Sequence, residues 1–218
     1  MAVHDIVVVG FSAGGIDPLR RFVGALPADF PGAMFVVHHF PPQSVSALPS
    51  ILKRVTTIPV DLAADRAAIV PGRIYVARPD HDLVLEPGRV RLADGPPAHH
   101  PTIDPLFRSA AQAYGARVAG VILSGTLGDG TAGLLEIKAH GGVALVQQPE
   151  EASYPGMSLS AIRNVPVDYV ASAQELAAIL DRLARPQEPQ PAPSGGFESP
   201  LDAASRGMAR SDVSRCSP

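Results

Sequence analysis

Apolar residues fall along this chain in two alternating patterns, short continuous runs and helical spacing. Runs rich in Val and Ile occupy Asp5 to Val9, Ala33 to Val37, Ala119 to Leu123 and Val143 to Val146. Uninterrupted runs of this length predict strands covered on both faces. Between them, Gly15 to Leu26, Asp104 to Tyr114, Gly130 to His140 and Ala173 to Ala184 carry apolar side chains at helical intervals. The alternation predicts an α/β fold, a doubly wound and mostly parallel sheet with helices on both faces.

The middle of the chain departs from this rhythm. Arg73 to Arg78, His81 to Glu86 and Arg89 to Leu92 are strand-like segments separated only by Pro79-Asp80 and Pro87-Gly88. Such tight punctuation predicts an antiparallel β-hairpin or meander attached to the sheet. From Pro186 onward, Pro, Gln, Ser and Gly replace the apolar periodicity that offsets the entropy of ordering a chain. Residues 1–185 are therefore expected to form one folded domain, and 186–218 a disordered tail.

Composition narrows the classes of partner. With 46% apolar and 18% charged residues, the 218-residue chain has the balance of a soluble globular protein. A net charge of −3 creates no basic field, so nucleic acid is not an expected partner. Neither a secretion signal nor an apolar run of membrane-spanning length is visible, so direct membrane insertion is not expected. The lone Cys216 offers neither a disulfide nor a cysteine metal cluster, in keeping with a cytoplasmic location.

Candidate chemistry begins at Gly10-Phe11-Ser12-Ala13-Gly14, a G-x-S-x-G pattern between a Val-rich strand and a helix. In that setting a serine hydroxyl projects above the sheet edge, and the first amides of the helix face a developing oxyanion. A rival reading takes Gly10, Ser12 and Gly15 as a dinucleotide-binding G-x-G-x-x-G turn. However, Ser12 replaces the glycine that lets a pyrophosphate approach, and no acidic residue is placed to hold a ribose.

A serine needs an imidazole to take its proton, and the imidazole needs a carboxylate to fix its tautomer. His38 and His39 end the second predicted strand, and Asp129 follows the strand Ala119 to Leu123 through Ser124-Gly125-Thr126-Leu127-Gly128. Side-chain alternation lets only one of the two histidines face Ser12, and periodicity does not say which. Taken alone, Asp129 also fits a helix N-cap before Gly130-Thr131-Ala132, and Asp104 a cap of its own helix. His99, His100 and Asp104 lack the spacing of a metal-ligand set and read as a loop; no metal or other cofactor is expected. His81 and His140 read as surface or loop residues, and Tyr154-Pro155-Gly156-Met157 as either a lining of the site or a turn into the next helix.

Several motifs in order carry a family resemblance over about Ile6 to Leu183. They are Gly10-Phe11-Ser12-Ala13-Gly14-Gly15, Val37-His38-His39-Phe40-Pro41-Pro42, Pro71-Gly72-Arg73-Ile74-Tyr75-Val76-Ala77, Gly120-Val121-Ile122-Leu123-Ser124-Gly125, Gly128-Asp129-Gly130 and Tyr154-Pro155-Gly156-Met157. His99-His100-Pro101-Thr102-Ile103-Asp104 belongs to the same series. In these motifs the chain resembles the catalytic domain of the chemotaxis protein-glutamate methylesterases, the CheB family.

The resemblance implies a Ser-His-Asp triad of Ser12, His39 and Asp129, with the histidine being the one that precedes a bulky apolar residue and proline. It also implies a backbone oxyanion donor at Thr126, beside the Ala13 amide of the serine turn, and leaves room for Asp104 in shaping the cleft. The implied reaction hydrolyses glutamate γ-methyl esters on the cytoplasmic helices of methyl-accepting chemotaxis receptors, and in many members deamidates glutamines. Order along the chain, Ser then His then Asp, differs from the Ser, Asp, His order of ordinary α/β-hydrolases. Ala13 stands where threonine is frequent, and Thr126-Leu127-Gly128 where Met-Gly-Asn is common. Typical members also carry an amino-terminal receiver domain, whereas this sequence opens on the catalytic strand. Constitutive activity, control by a separate regulatory protein, and service in a non-chemotaxis signalling array are the expectations that follow. Against a methylesterase stand a CheB-like signalling protein without efficient hydrolysis, and a hydrolase of another ester.

Overall fold

The computed structural model describes residues 3–39, 46–79, 81–94 and 102–186. The expected tail, 186–218, lies outside them apart from Pro186, as do Phe40, Pro41, Pro42, His99 and His100.

Nine strands and six α-helices follow one another among the described residues. They are β1 (Ile6–Phe11), α1 (Ile16–Gly24), β2 (Ala33–His38), α2 (Leu48–Leu52), β3 (Val60–Leu62), β4 (Arg73–Val76), β5 (His81–Glu86) and β6 (Arg89–Asp94). The second half adds α3 (Ile103–Tyr114), β7 (Val118–Ile122), α4 (Thr131–Ala139), β8 (Val143–Gln147), α5 (Gly156–Asn164), β9 (Tyr169–Ala171) and α6 (Ala173–Ala184). Seven strands form one parallel sheet in the order β3-β4-β2-β1-β7-β8-β9, while β5 and β6 pair antiparallel as a separate hairpin.

Strand β1 shows why the sheet is covered on both sides. All six of its residues are buried, and successive side chains enter opposite cores. Val7, Val9 and Phe11 join Leu19 and Phe22 of α1 and Leu176 and Leu180 of α6. Ile6 and Val8 join Phe107 of α3 and Leu134 and Ile137 of α4 on the other face. Each such side chain, moved from water into the core, contributes about 1.5–3 kcal/mol.

The predicted doubly wound fold is what the structure shows, with one regrouping. Close spacing to β5 predicts Arg73 to Arg78 within the antiparallel meander, but Arg73–Val76 is β4, a parallel strand between β2 and β3. Its apolar residues Ile74, Tyr75 and Val76 are buried in the main sheet, which outweighs the short separation from β5 that suggested a meander. The hairpin packs through Leu83, Leu85 and Val90 into the core beneath α3. Ser109 and Tyr114 of α3 pin it further, accepting the Leu85 and Gly88 amides at 3.0 and 2.8 Å.

Chain direction positions the functional edge. From β1 the chain moves outward through β2 to β4 and β3, then returns to β7 on the other side of β1 and moves outward to β8 and β9. A parallel sheet opens a crevice outside the carboxyl ends of its strands at such a reversal, here between β1 and β7.

Candidate active site

Ser12 leaves the sheet at that crevice. Its amide donates to the Ser124 carbonyl just past β7 (2.9 Å), and its carbonyl accepts the Gly15 amide (3.1 Å), which makes the sharp turn into α1. Gly14 takes φ +70°, a left-handed conformation, and a Cβ there would also lie 2.8 Å from the Tyr154 ring. The buried Ser124 hydroxyl ties this turn to the loop before α5, donating to the Ala13 carbonyl (2.9 Å) and accepting the Tyr154 amide (3.1 Å).

Register brings the histidine to the serine. Phe11 of β1 is paired with His38 of β2, so Ser12 and His39 leave the sheet side by side. His39 Nδ1 lies 3.0 Å from Ser12 Oγ, and its Nε2 lies 2.7 Å from Asp129 Oδ2. An ionised carboxylate only accepts, so Nε2 carries the proton and Nδ1 is left to accept the Ser12 hydroxyl. Two adjacent histidines were equivalent by periodicity; the geometry selects His39. The hydroxyl at the position that a pyrophosphate-binding turn keeps free is engaged with His39, so the dinucleotide reading does not describe this turn.

His38 does something else. Its ring stacks on Phe11 at 4.7 Å, and its Nδ1–H donates to the His39 carbonyl at 3.0 Å. Burial pushes its pKa down to about 4, so it is neutral at physiological pH. An unfolded chain holds this imidazole at its ordinary value and binds the proton more readily. Stability associated with His38 is therefore complete above about pH 6.5 and falls as pH drops towards about 4. His4, lowered by burial too, acts with the same sign. Urea unfolding is expected to lose about 3 kcal/mol from His38 over that window, and His38→Phe, which keeps the stack, is expected to flatten the dependence. An unchanged slope in that variant would show that His38 does not titrate in this way.

Asp129 is held more firmly than a capping residue of its own helix. Oδ2 accepts from His39 and from the Ile103 amide (2.8 Å), while Oδ1 accepts from the Gly130 amide (2.9 Å) and, more weakly, the Asp104 amide (3.4 Å). Ile103 and Asp104 open α3, so the cap that Asp129 supplies is to α3 and not to α4. Partial burial pushes its carboxyl pKa up, but hydrogen bonds from His39 and Ile103 outweigh that and hold it below the usual value. Asp104 is likewise no cap of its own helix, since its Oδ1 accepts the Gly133 amide of α4 at 2.7 Å.

Among the described residues, the amides of Ala13 and Thr126 donate to no protein acceptor. Thr126 is exposed, next to a buried Gly125 whose added Cβ would sit 3.1 Å from that of Ser12. Both amides therefore lie on chain segments flanking the serine. An open groove of about 570 Å³ runs from Ser12 and His39 along α1, past Ile16, Asp17 and Arg20, with Ser153 opposite.

His81 opens β5, half-buried, with Nε2 3.6 Å from Asp94; His140 ends α4, exposed, with Nδ1 2.9 Å from the Glu136 carbonyl. Tyr154-Pro155-Gly156-Met157 leads into α5 and also touches the site, because Tyr154 packs beside Gly14. Among the described residues, no three His, Cys, Asp or Glu side chains converge on a metal position, and no helix is long and apolar enough to cross a membrane. Sequence reasoning missed Ser124 and Ser153. Ser124 carries a usable signal, a polar residue closing an all-apolar strand run.

A doubly wound α/β protein with a hydrogen-bonded serine, histidine and aspartate at the carboxyl edge of its sheet has the arrangement used by serine hydrolases. The particular family is established by comparison. This chain belongs to the CheB methylesterase family, whose model matches residues 7–180. Its relatives include a putative protein-glutamate methylesterase/protein-glutamine glutaminase of Leptospira interrogans, 34% identical over 83% of this chain and 95% of that protein. Protein-glutamate methylesterase/protein-glutamine glutaminase 5 of Anaeromyxobacter dehalogenans is 38% identical over 83% of this chain, which spans 51% of that relative. The crystal structure of the Thermotoga maritima CheB methylesterase catalytic domain superposes with a TM-score of 0.77 at 31% identity, covering 84% of this chain and 99% of that domain.

Proposed function

We propose that this chain is a cytoplasmic protein-glutamate methylesterase that hydrolyses glutamate γ-methyl esters on chemoreceptor signalling helices, using Ser12, His39 and Asp129. The continuous hydrogen-bonded path from Asp129 through His39 to Ser12 carries this reading.

In the first half-reaction, Ser12 Oγ attacks the γ-carbonyl carbon while His39 Nδ1 takes the hydroxyl proton. Asp129 stabilises the resulting imidazolium through Nε2–H, and the amides of Ala13 and Thr126 are the donors assigned to the oxyanion. As the tetrahedral species collapses, Nδ1–H protonates the departing methoxide, leaving methanol and an acyl-serine. Water then gives its proton to Nδ1 and attacks the acyl carbon. Collapse returns that proton to Ser12 Oγ and releases the glutamic acid, which ionises to the carboxylate and gives its remaining proton to solvent. A glutamine amide follows the same path with ammonia as the leaving group, so deamidation needs no additional residue.

Methanol release from a carboxyl-methylated chemoreceptor tests the proposal. Release well above the buffer rate is expected, together with weak turnover of small esters at equal concentration. Efficient small-ester hydrolysis with no methanol from receptor would redirect the assignment to another ester. No turnover of either substrate would favour a signalling protein without catalysis.

A further inference from the structure

Helices α3 and α4 begin side by side, and each is capped by a carboxylate from the other's neighbourhood. Neither Thr102 before α3 nor Gly130 before α4 supplies a side-chain cap. Instead Asp129, just before α4, accepts the Ile103 amide of α3 at 2.8 Å, and Asp104 of α3 accepts the Gly133 amide of α4 at 2.7 Å. Their approach is close enough that a Cβ on Gly133 would lie 2.5 Å from Phe107 Cβ and 3.1 Å from Asp104 Oδ1.

These bonds close a ring. Asp129 grips α3, Asp104 within α3 grips α4, and the first residues of α4 continue directly from Asp129. The same Asp129 oxygen that accepts the Ile103 amide also accepts His39 Nε2–H, so movement of α3 against α4 shifts the acceptor that orients the imidazole. Among the described residues, Asp104 is not part of the groove lining around Ser12, and its second oxygen meets Arg108 at 3.4 Å on the surface.

We propose that Asp104 is a positioning residue for the triad, setting the placement of Asp129, and through it of His39, by holding the Gly133 amide. This rests on the reading of Ser12, His39 and Asp129 as a working triad. An acceptor displaced by a fraction of an ångström misaligns proton transfer without unfolding the domain, and misplacements of about 1 Å cost up to about a hundredfold in rate. The geometry of the acceptor, more than its charge, is what the arrangement requires.

The test measures the rate at which a fluorophosphonate labels Ser12, alongside thermal stability, in wild type, Asp104→Ala, Asp104→Glu and Asp104→Asn. Asp168→Ala serves as a control, because Asp168 pins the Lys138 ammonium and the Ala144 amide away from the site. Asp104→Ala removes the acceptor and Asp104→Glu moves it by one methylene; each is expected to slow labelling about tenfold. Asp104→Asn retains an amide oxygen for Gly133 and is expected to label within about twofold of wild type. Asp168→Ala is expected to lose stability while labelling normally. Should Asp104→Ala not fold, Asp104→Glu carries the comparison. Wild-type labelling in Asp104→Glu, or slowing in Asp168→Ala equal to that in the Asp104 variants, would overturn the positioning role. No labelling of wild type would overturn the triad itself and this role with it, an outcome distinct from labelled wild type with unaffected Asp104 variants.

Discussion

Ser12→Ala is expected to lower methanol release from methylated receptor by several orders of magnitude while leaving the fold intact. The Ser12 amide and carbonyl, not its hydroxyl, shape the turn by bonding to Ser124 and Gly15. Those bonds survive the substitution, so the thermal midpoint is expected to move little. What disappears is the only oxygen placed 3.0 Å from His39 Nδ1 among the described residues. No acyl intermediate can then form, and the amides assigned to the oxyanion can polarise a bound ester only for attack by water. Loss of a triad serine costs about 10⁶ in kcat where it has been dissected, with a residual about 10³–10⁴ over water from the oxyanion hole and binding. Methanol release, fluorophosphonate labelling and circular dichroism on the same preparation separate a chemical loss from a structural one. A folded Ser12→Ala protein with near-normal release would remove Ser12 from the mechanism.

How far the sequence shows this site depends on where each signal lies. Strands β1, β2, β7 and β8 are visible because burial on both faces demands continuous Val and Ile runs. Strands β3 and β9 are three residues long at the sheet edges, with exposed positions at Leu62 and Val170, and such short mixed segments have no period to detect. Ser12 is legible because a sharp strand-to-helix turn demands small residues around the serine. Periodicity does not choose between His38 and His39, since the choice depends on the register between β1 and β2, where Phe11 meets His38; the motif His39-Phe40-Pro41, through the family resemblance, does point to His39. Capping is the clearest case of partial legibility. The preference for Asp near helix starts correctly marks Asp104 and Asp129 as caps, but each serves the other helix across 25 residues or more of chain, which local spacing cannot reveal.

Asp129→Asn separates the two roles that converge on this residue, a cap for α3 and the acid that orients His39. The carboxylate receives the His39 Nε2–H, Ile103, Gly130 and Asp104 donors on its two oxygens. Asparagine has one accepting oxygen and one NH₂, so one pair of donors must face a donor whichever way the amide turns. With the oxygen towards His39, the NH₂ opposes the Gly130 and Asp104 amides and the cap is strained. With the NH₂ towards His39, Nε2 must become the acceptor, which moves the ring proton to Nδ1 and leaves nothing to take the proton of Ser12. The ring stands the opposite way round from that of the chymotrypsin-type triad, where Nε2 faces the serine, but the tautomer argument is the same with the nitrogens exchanged. A comparable asparagine substitution there lowers kcat about 10⁴-fold, and a loss of about 10³–10⁴ is expected here. Unsatisfied amides add a stability loss of about 1–3 kcal/mol. If Asp129→Asn instead lost stability but kept its rate of Ser12 labelling, the carboxylate would be a cap for α3 alone, and His39 would have to take its orientation from another contact.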